Sequence, residues 1–173
     1  MSDEVESLRR DLHAGRERLL AVVAGVTEEQ FKRRPPVETG STGPVWCIAE
    51  VLAHLLQQER LRAERIALAL KEEGAEVVPT TDEEHYEAAR AGRASPVPQL
   101  IHGLLASRRE IEHLLDIADG IEGGLERTIS HPVLGRSDVG WMLREKVIAH
   151  EEEHAQQIEA IKVALAEAKS AAG

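Results

Sequence analysis

His150 and His154 lie four residues apart in the run HisGluGluGluHis, so a helix carries both imidazoles on one face. Leu143, Val147, Ile158, Ile161 and Leu165 recur on that face at helical intervals, and every other member of the stripe is apolar. A buried ring nitrogen without a partner costs about 1–3 kcal/mol, so two histidines in an apolar seam require a partner that serves both. A divalent metal ion meets that requirement. The alternative is a pair of core histidines hydrogen-bonded to carboxylates on neighbouring helices.

One helix cannot complete a coordination shell, and a third ligand must come from another element. His54 is the histidine that spacing selects. It lies seven residues after Cys47 and seven before Leu61, beside Val51 and Leu55, on an inward-leaning row of the second long helix. His13, His102 and His113 fall off the apolar rows of their helices and His85 lies in a polar segment, so these four read as solvated. His131 opens the run HisProValLeuGly, where it either lines the mouth of a cavity or makes a turn contact. Three neutral imidazoles leave at least one coordination position open, which is the pattern of catalytic rather than structural metal sites. With zinc, water at that position would have a pKa near ~7 and give a hydroxide nucleophile, or a bound thiol would be activated; nickel and iron suit imidazole as well.

Other residues invite competing chemistry. HisGluGluGluHis also fits H-E-x-x-H with Glu151 as general base, and H-x-x-E-H with Glu153 in that role. A Glu-rich helix produces such matches by chance, and the third ligand downstream or the substrate-aligning strand of a protease has no visible counterpart. Arg108 interrupts the seam between Leu104 and Ile111, where it grips a substrate carboxylate or pairs with a neighbouring helix. Cys47 reads as a small core residue more readily than as a catalytic thiol. Glu50 and Glu59 either orient His54 or, more simply, are solvated surface carboxylates.

Four long amphipathic helices would position these residues. The first runs from about Asp3 to Gly25 on Val5, Leu8, Leu12, Leu19 and Val22/Val23. The second begins between Thr42 and Trp46 and reaches about Glu73, with Ile48, Val51, Leu52, Leu55 and Ile66 inward. The third starts at Ser95 and Pro96 and ends near Gly120, and the fourth runs from Ser137 or Asp138 to about Ala168. Asp82 would cap a short extra helix ending at Gly92. The segments 27–44 and 120–135 hold too many glycines and prolines for regular elements, apart from one helical turn at ThrGluGluGln, and read as long interhelical connections. The fold class that follows is all-α, a four-helix bundle.

At 173 residues the chain fits one domain. Its single cysteine rules out a disulfide framework and a thiolate zinc cluster, and suits a reducing cytoplasm. Acidic residues outnumber basic ones 31 to 21, and one Phe, one Tyr and two Trp are the whole aromatic complement, which removes the basic footprint and stacking platform of a nucleic-acid binder. No apolar run approaches a membrane span. Long aliphatic helices favour self-association, most simply as a two-fold homodimer.

The runs TrpCysIleAlaGluValLeuAlaHisLeu at 46–55, HisProValLeuGly at 131–135, and Trp141 with HisGluGluGluHisAlaGlnGlnIle at 150–158 resemble the DinB-like family, also called DinB/YfiT. The resemblance spans nearly the whole chain, which it implies is a single domain over 1–173, and rests on the order and separation of short motifs. It implies a four-helix bundle whose second helix gives one metal-binding histidine and whose fourth gives two in an H-x-x-x-H pair followed by Gln-Ile. His54, His150 and His154 match those positions. Relatives of that family include transferases and isomerases that use a low-molecular-weight thiol such as bacillithiol or mycothiol. The expectation is a divalent-metal protein acting on a small-molecule substrate, as a thiol S-transferase or hydrolase; the alternative is a non-catalytic metal-binding or stress-response interaction module.

Overall fold

The computed structural model of the chain describes residues 2–36, 45–133 and 135–171. Residues 37–44 of the 27–44 connection, and with them the expected start of the second long helix near Thr42, lie outside the described residues. Helix α1 (Asp3–Val23) starts at Ser2, whose hydroxyl accepts from the Val5 N–H. α2 (Glu28–Lys32) is the turn expected at ThrGluGluGln, closed by a reciprocal cap between Thr27 and Gln30. α3 (Ile48–Lys71) carries His54, and a two-residue strand, β1 (Ala75–Glu76), follows it. α4 (Asp82–Gly92) is capped by Thr81 rather than Asp82, because Thr81 and Glu84 form the same reciprocal box. α5 (Val97–Asp119) begins with proline in its first turn, where a missing N–H costs nothing.

The segment after α5 corrects the reading of a structureless connection. It contains β2 (Thr128–His131) and β3 (Gly135–Asp138), an antiparallel hairpin with Thr128 opposite Asp138 and His131 opposite Gly135. β1 joins β2 in parallel, giving a three-stranded sheet ordered β1-β2-β3. Gly135 takes φ 79°, a left-handed conformation that glycine reaches without penalty, and this lets so short a hairpin turn. The last helix is continuous but irregular. α6 (Val139–Trp141) passes into π-helical turns at Met142–Ile148 and then into α7 (Ala149–Ala171).

α3 packs against α5 and α4, and α1 packs against α7. Gly92 makes the α3–α4 contact possible: a Cβ there would stand 2.1 Å from the Ala53 Cβ, next to His54 in the chain. The apolar rows predicted for the four long helices lie inside, with Leu12, Leu19, Leu52, Ile66, Leu104, Ile111, Leu115, Leu143, Ile158 and Ile161 fully buried.

These side chains form two apolar clusters. One joins Leu19–Val23 of α1 with the first half of α3, Leu100, Leu104 and the later turns of α7. The other joins Val5–Leu12 with the second half of α3, Ile111–Ala118, Ile129 and the start of the last helix. Each long helix leaves a gap between its two contributions, and polar residues fill it: Arg16, Glu59, Ser107 with Arg108, and Glu151 are all buried.

Candidate metal centre

The structure brings His54, His150 and His154 together at this middle layer. Their ligand atoms all lie within 4.8 Å of one another. His150 Nε2 stands 3.1 Å from His154 Nε2 and 3.4 Å from His54 Nε2. Two nitrogens that each sit about 2.0–2.1 Å from a shared tetrahedral ion would be roughly 3.3–3.4 Å apart, so the spacing suits one ion.

The proton count points the same way. A neutral imidazole has one N–H, and a single proton on or facing His150 Nε2 satisfies only one of its two close contacts. His154 Nδ1 meets Gln157 Oε1 at 2.7 Å; the oxygen can only accept, so Nδ1 donates and Nε2 presents its lone pair to the other rings. Among the described residues, the buried His54 Nδ1 has no hydrogen-bond partner. Burial holds all three rings in the neutral, ligating form. His54 is pushed down to about 3, chiefly by desolvation and then by His154. His150 is lowered further by the same causes, and His154 is lowered by burial against the opposing pull of Gln157. Trp46 covers one side of His54, with ring centroids 5.0 Å apart.

The surrounding carboxylates correct several expectations. Glu59 is not a surface group: it is 6 % exposed, and its oxygens take Arg108 Nε at 2.7 Å, Arg16 Nη2 at 2.8 Å and the Ser107 hydroxyl at 2.6 Å. Glu50 is fully buried, accepts the Cys47 N–H at 2.8 Å and pairs with Arg34. Glu151 pairs with Arg16 and Arg108 at 2.8 and 2.7 Å; burial raises its carboxyl above the usual range against the pull of both guanidiniums, but it is enclosed in this paired network rather than open to a substrate, which counts against the H-E-x-x-H reading. Arg108 is committed to Glu59, Glu151 and the Leu12 carbonyl, so it does not await a substrate. Two arginines and two glutamates thus close a buried, charge-balanced network through α1, α3, α5 and α7, which ties the helices bearing the histidines into one register.

Cys47 is fully buried with its thiol pushed up to about 11, chiefly by desolvation, and is a core residue and helix cap. His13, His102 and His113 are exposed. His85 departs from the solvated reading. Gln58 Nε2 donates to its Nδ1 at 2.8 Å, and its Nε2 lies 3.0 Å from the Thr80 hydroxyl. His131 does both things open to it: its Nδ1 accepts the Val133 N–H at 3.2 Å, and its ring lines a cleft.

That cleft, about 360 Å³, lies where α3, the π-helical turns and the small sheet meet. Arg62, two turns beyond His54, and Lys146, one turn before His150, line it. Lys146 also borders a small cavity that His150 lines, while none of the three histidines lines the cleft itself. Sequence reasoning missed this wall because it is assembled from strands too short for any alternation to register.

The sequence model of the DinB superfamily matches residues 11–158. Among solved structures, YfiT from Bacillus subtilis, described as a probable metal-dependent hydrolase with an unusual four-helix bundle topology, superposes with a TM-score of 0.75. The two chains are 16% identical, and the match covers 96% of this chain and 90% of that one. No curated protein matches significantly.

Proposed function

This chain belongs to the DinB superfamily, and we propose that it is a metal-dependent enzyme of the hydrolase type whose divalent ion is held by His54, His150 and His154. The observation that carries the reading is the convergence of three neutral Nε2 atoms with too few protons between them. When bound, a divalent ion supplies Lewis acidity that activates a nucleophile at neutral pH. The protein's own part is positional. Gln157 fixes the tautomer of His154, Trp46 packs over His54, and the Arg16–Glu59–Arg108–Glu151 network holds α3 and α7 in mutual register. The Gln58–His85–Thr80 chain fastens α4 and its preceding loop to α3 at the edge of the cleft.

Hydrolysis is favoured over thiol transfer by what is said of YfiT, although at 16% identity the likeness itself speaks for the fold. The test compares metal-loaded protein, chelator-treated protein and the His54→Ala variant on panels of carboxylic and phosphoric esters and amides, and on electrophiles with added low-molecular-weight thiol. Turnover of an ester or amide that needs both the metal and His54 supports the proposal. Turnover only with thiol present would replace hydrolysis by S-transfer. A metal-loaded protein inert on both panels would favour a non-catalytic metal-binding module.

A further inference from the structure

The wall of the cleft carries charge that the protein leaves without a counterion. Arg65 is 8 % exposed and lines it; its Nε is buried without a hydrogen-bond partner, and among the described residues no ion pair holds it, the adjacent Glu64 acting on it only through space. Arg62, one turn earlier, lines the same wall; its Nη2 donates to Gln58 Oε1 at 2.9 Å while its Nε has no partner. Burial, and to a lesser degree the neighbouring Arg65, push Arg62 down to about 10. Lys146 adds a third cation, its ammonium 5.0 Å from the Trp141 ring centre. Asp82 is the one acidic residue among the described residues lining the cleft.

A chain with net charge −10 has carboxylates to spare for its arginines, and it gives them to Arg16, Arg34 and Arg108. Withholding them from two adjacent, largely buried arginines is unfavourable unless something else supplies the negative charge. The same lining also carries an apolar set, Pro79, Ile129, Val133, Trp141 and Met142. Val133 is 79 % exposed and Trp141 37 %, so the apolar rim is open to a ligand.

We infer that this cleft binds a small organic anion, with its carboxylate or phosphate on Arg62 and Arg65 and its apolar body against Trp141 and Val133. Guanidinium forks suit both oxyanions, and the cleft is of a size for a molecule of one ring or a short chain. Lys146 lines both this cleft and the small cavity that His150 lines, and on that link the inference deepens the proposed function by assigning a substrate class; in that respect it rests on that reading. The anion subsite itself does not require the metal.

The test uses phenyl phosphate and benzoate as probes and benzyl alcohol as the neutral control, titrated by calorimetry into the 173-residue chain. It is run on metal-loaded wild type and on His150→Ala, so that an anion held by the metal alone is told apart from one held by the arginines. Expected is binding of at least one anion to both proteins, no binding of benzyl alcohol, and a loss of ten-fold or more in affinity in Arg65→Gln and in Arg62→Gln. Nitrogen-15 spectra of the Arg62 and Arg65 Nε–H groups in the wild type keep the test intact should a variant misfold; both signals should shift on titration. Anion binding only to the metal-loaded wild type would overturn the inference, as would unchanged affinity in folded Arg65→Gln and Arg62→Gln. If no metal binds but phenyl phosphate still titrates against Arg65, the metal reading fails and the anion subsite stands.

Discussion

At the scale of single residues, the candidate centre depends on which nitrogen each imidazole presents. Gln157 decides this for His154, since its amide oxygen takes the Nδ1 proton at 2.7 Å and leaves Nε2 free for a cation. Gln157→Ala should therefore keep the fold and the metal stoichiometry but weaken metal affinity by about 10–100-fold, the usual effect of losing such a partner. Competition with a coloured chelator measures it, and an unchanged affinity would mean that helix packing alone orients the ring. The histidines were legible in the sequence because each breaks an otherwise apolar helical row, a local signal that needs no tertiary information. Glu59, Glu50 and His85 were not legible. A charged residue on a helix reads as solvated by default, and only the positions of Arg16, Arg34, Arg108, Gln58 and Thr80 in space reveal that Glu59 and Glu50 are buried and that His85 is held by hydrogen bonds.

At the scale of elements, the last helix is the one whose geometry bears most directly on the site. The π-helical turns at Met142–Ile148 come immediately before the two histidines, and the Ala149 N–H reaches back to the Arg144 carbonyl, five residues earlier. Such a segment accommodates one residue more than regular α turns while keeping its two flanks on the same face. Deleting the exposed Glu145 should let it close into α turns with His150 and His154 still facing His54, and metal stoichiometry should survive. Deleting Glu153, between the two histidines, rotates His154 by about 100° relative to His150 and should abolish binding. Metal loss in both deletions would show that the π turns themselves set the site. The four long helices were readable to within a few residues, because apolar spacing sums over many turns. The three strands were not: the longest has four residues, and their pairing joins Ala75 to Ile129, 54 positions further along the chain.

At the scale of the whole molecule, a metal-free protein must keep three uncharged histidines beside one another inside a bundle. Their folded-state pKa values are lowered, so below the unfolded value of about 6.5 the unfolded chain binds protons that the folded one refuses. Stability is therefore full above about pH 6.5 and is lost as pH falls from there toward the folded value, which for His54 is about 3. The slope should approach ~1.4 kcal/mol per pH unit for each such histidine. Urea midpoints of metal-free protein at pH 7.5, 6.0 and 5.0 read it directly. His54→Leu combined with His150→Leu should flatten the profile, and a wild-type profile already as flat as that of the double variant would remove the histidines from the account.

The most direct measurement is the metal content of protein purified without a histidine tag, by elemental analysis, beside His54→Ala and His150→Ala. The predicted result is about one divalent ion per chain in the wild type, zinc, nickel or iron, and none in either variant, with all three proteins equally helical. A wild type that carries no ion and takes none up at neutral pH, or variants that retain it, would contradict the three-histidine centre.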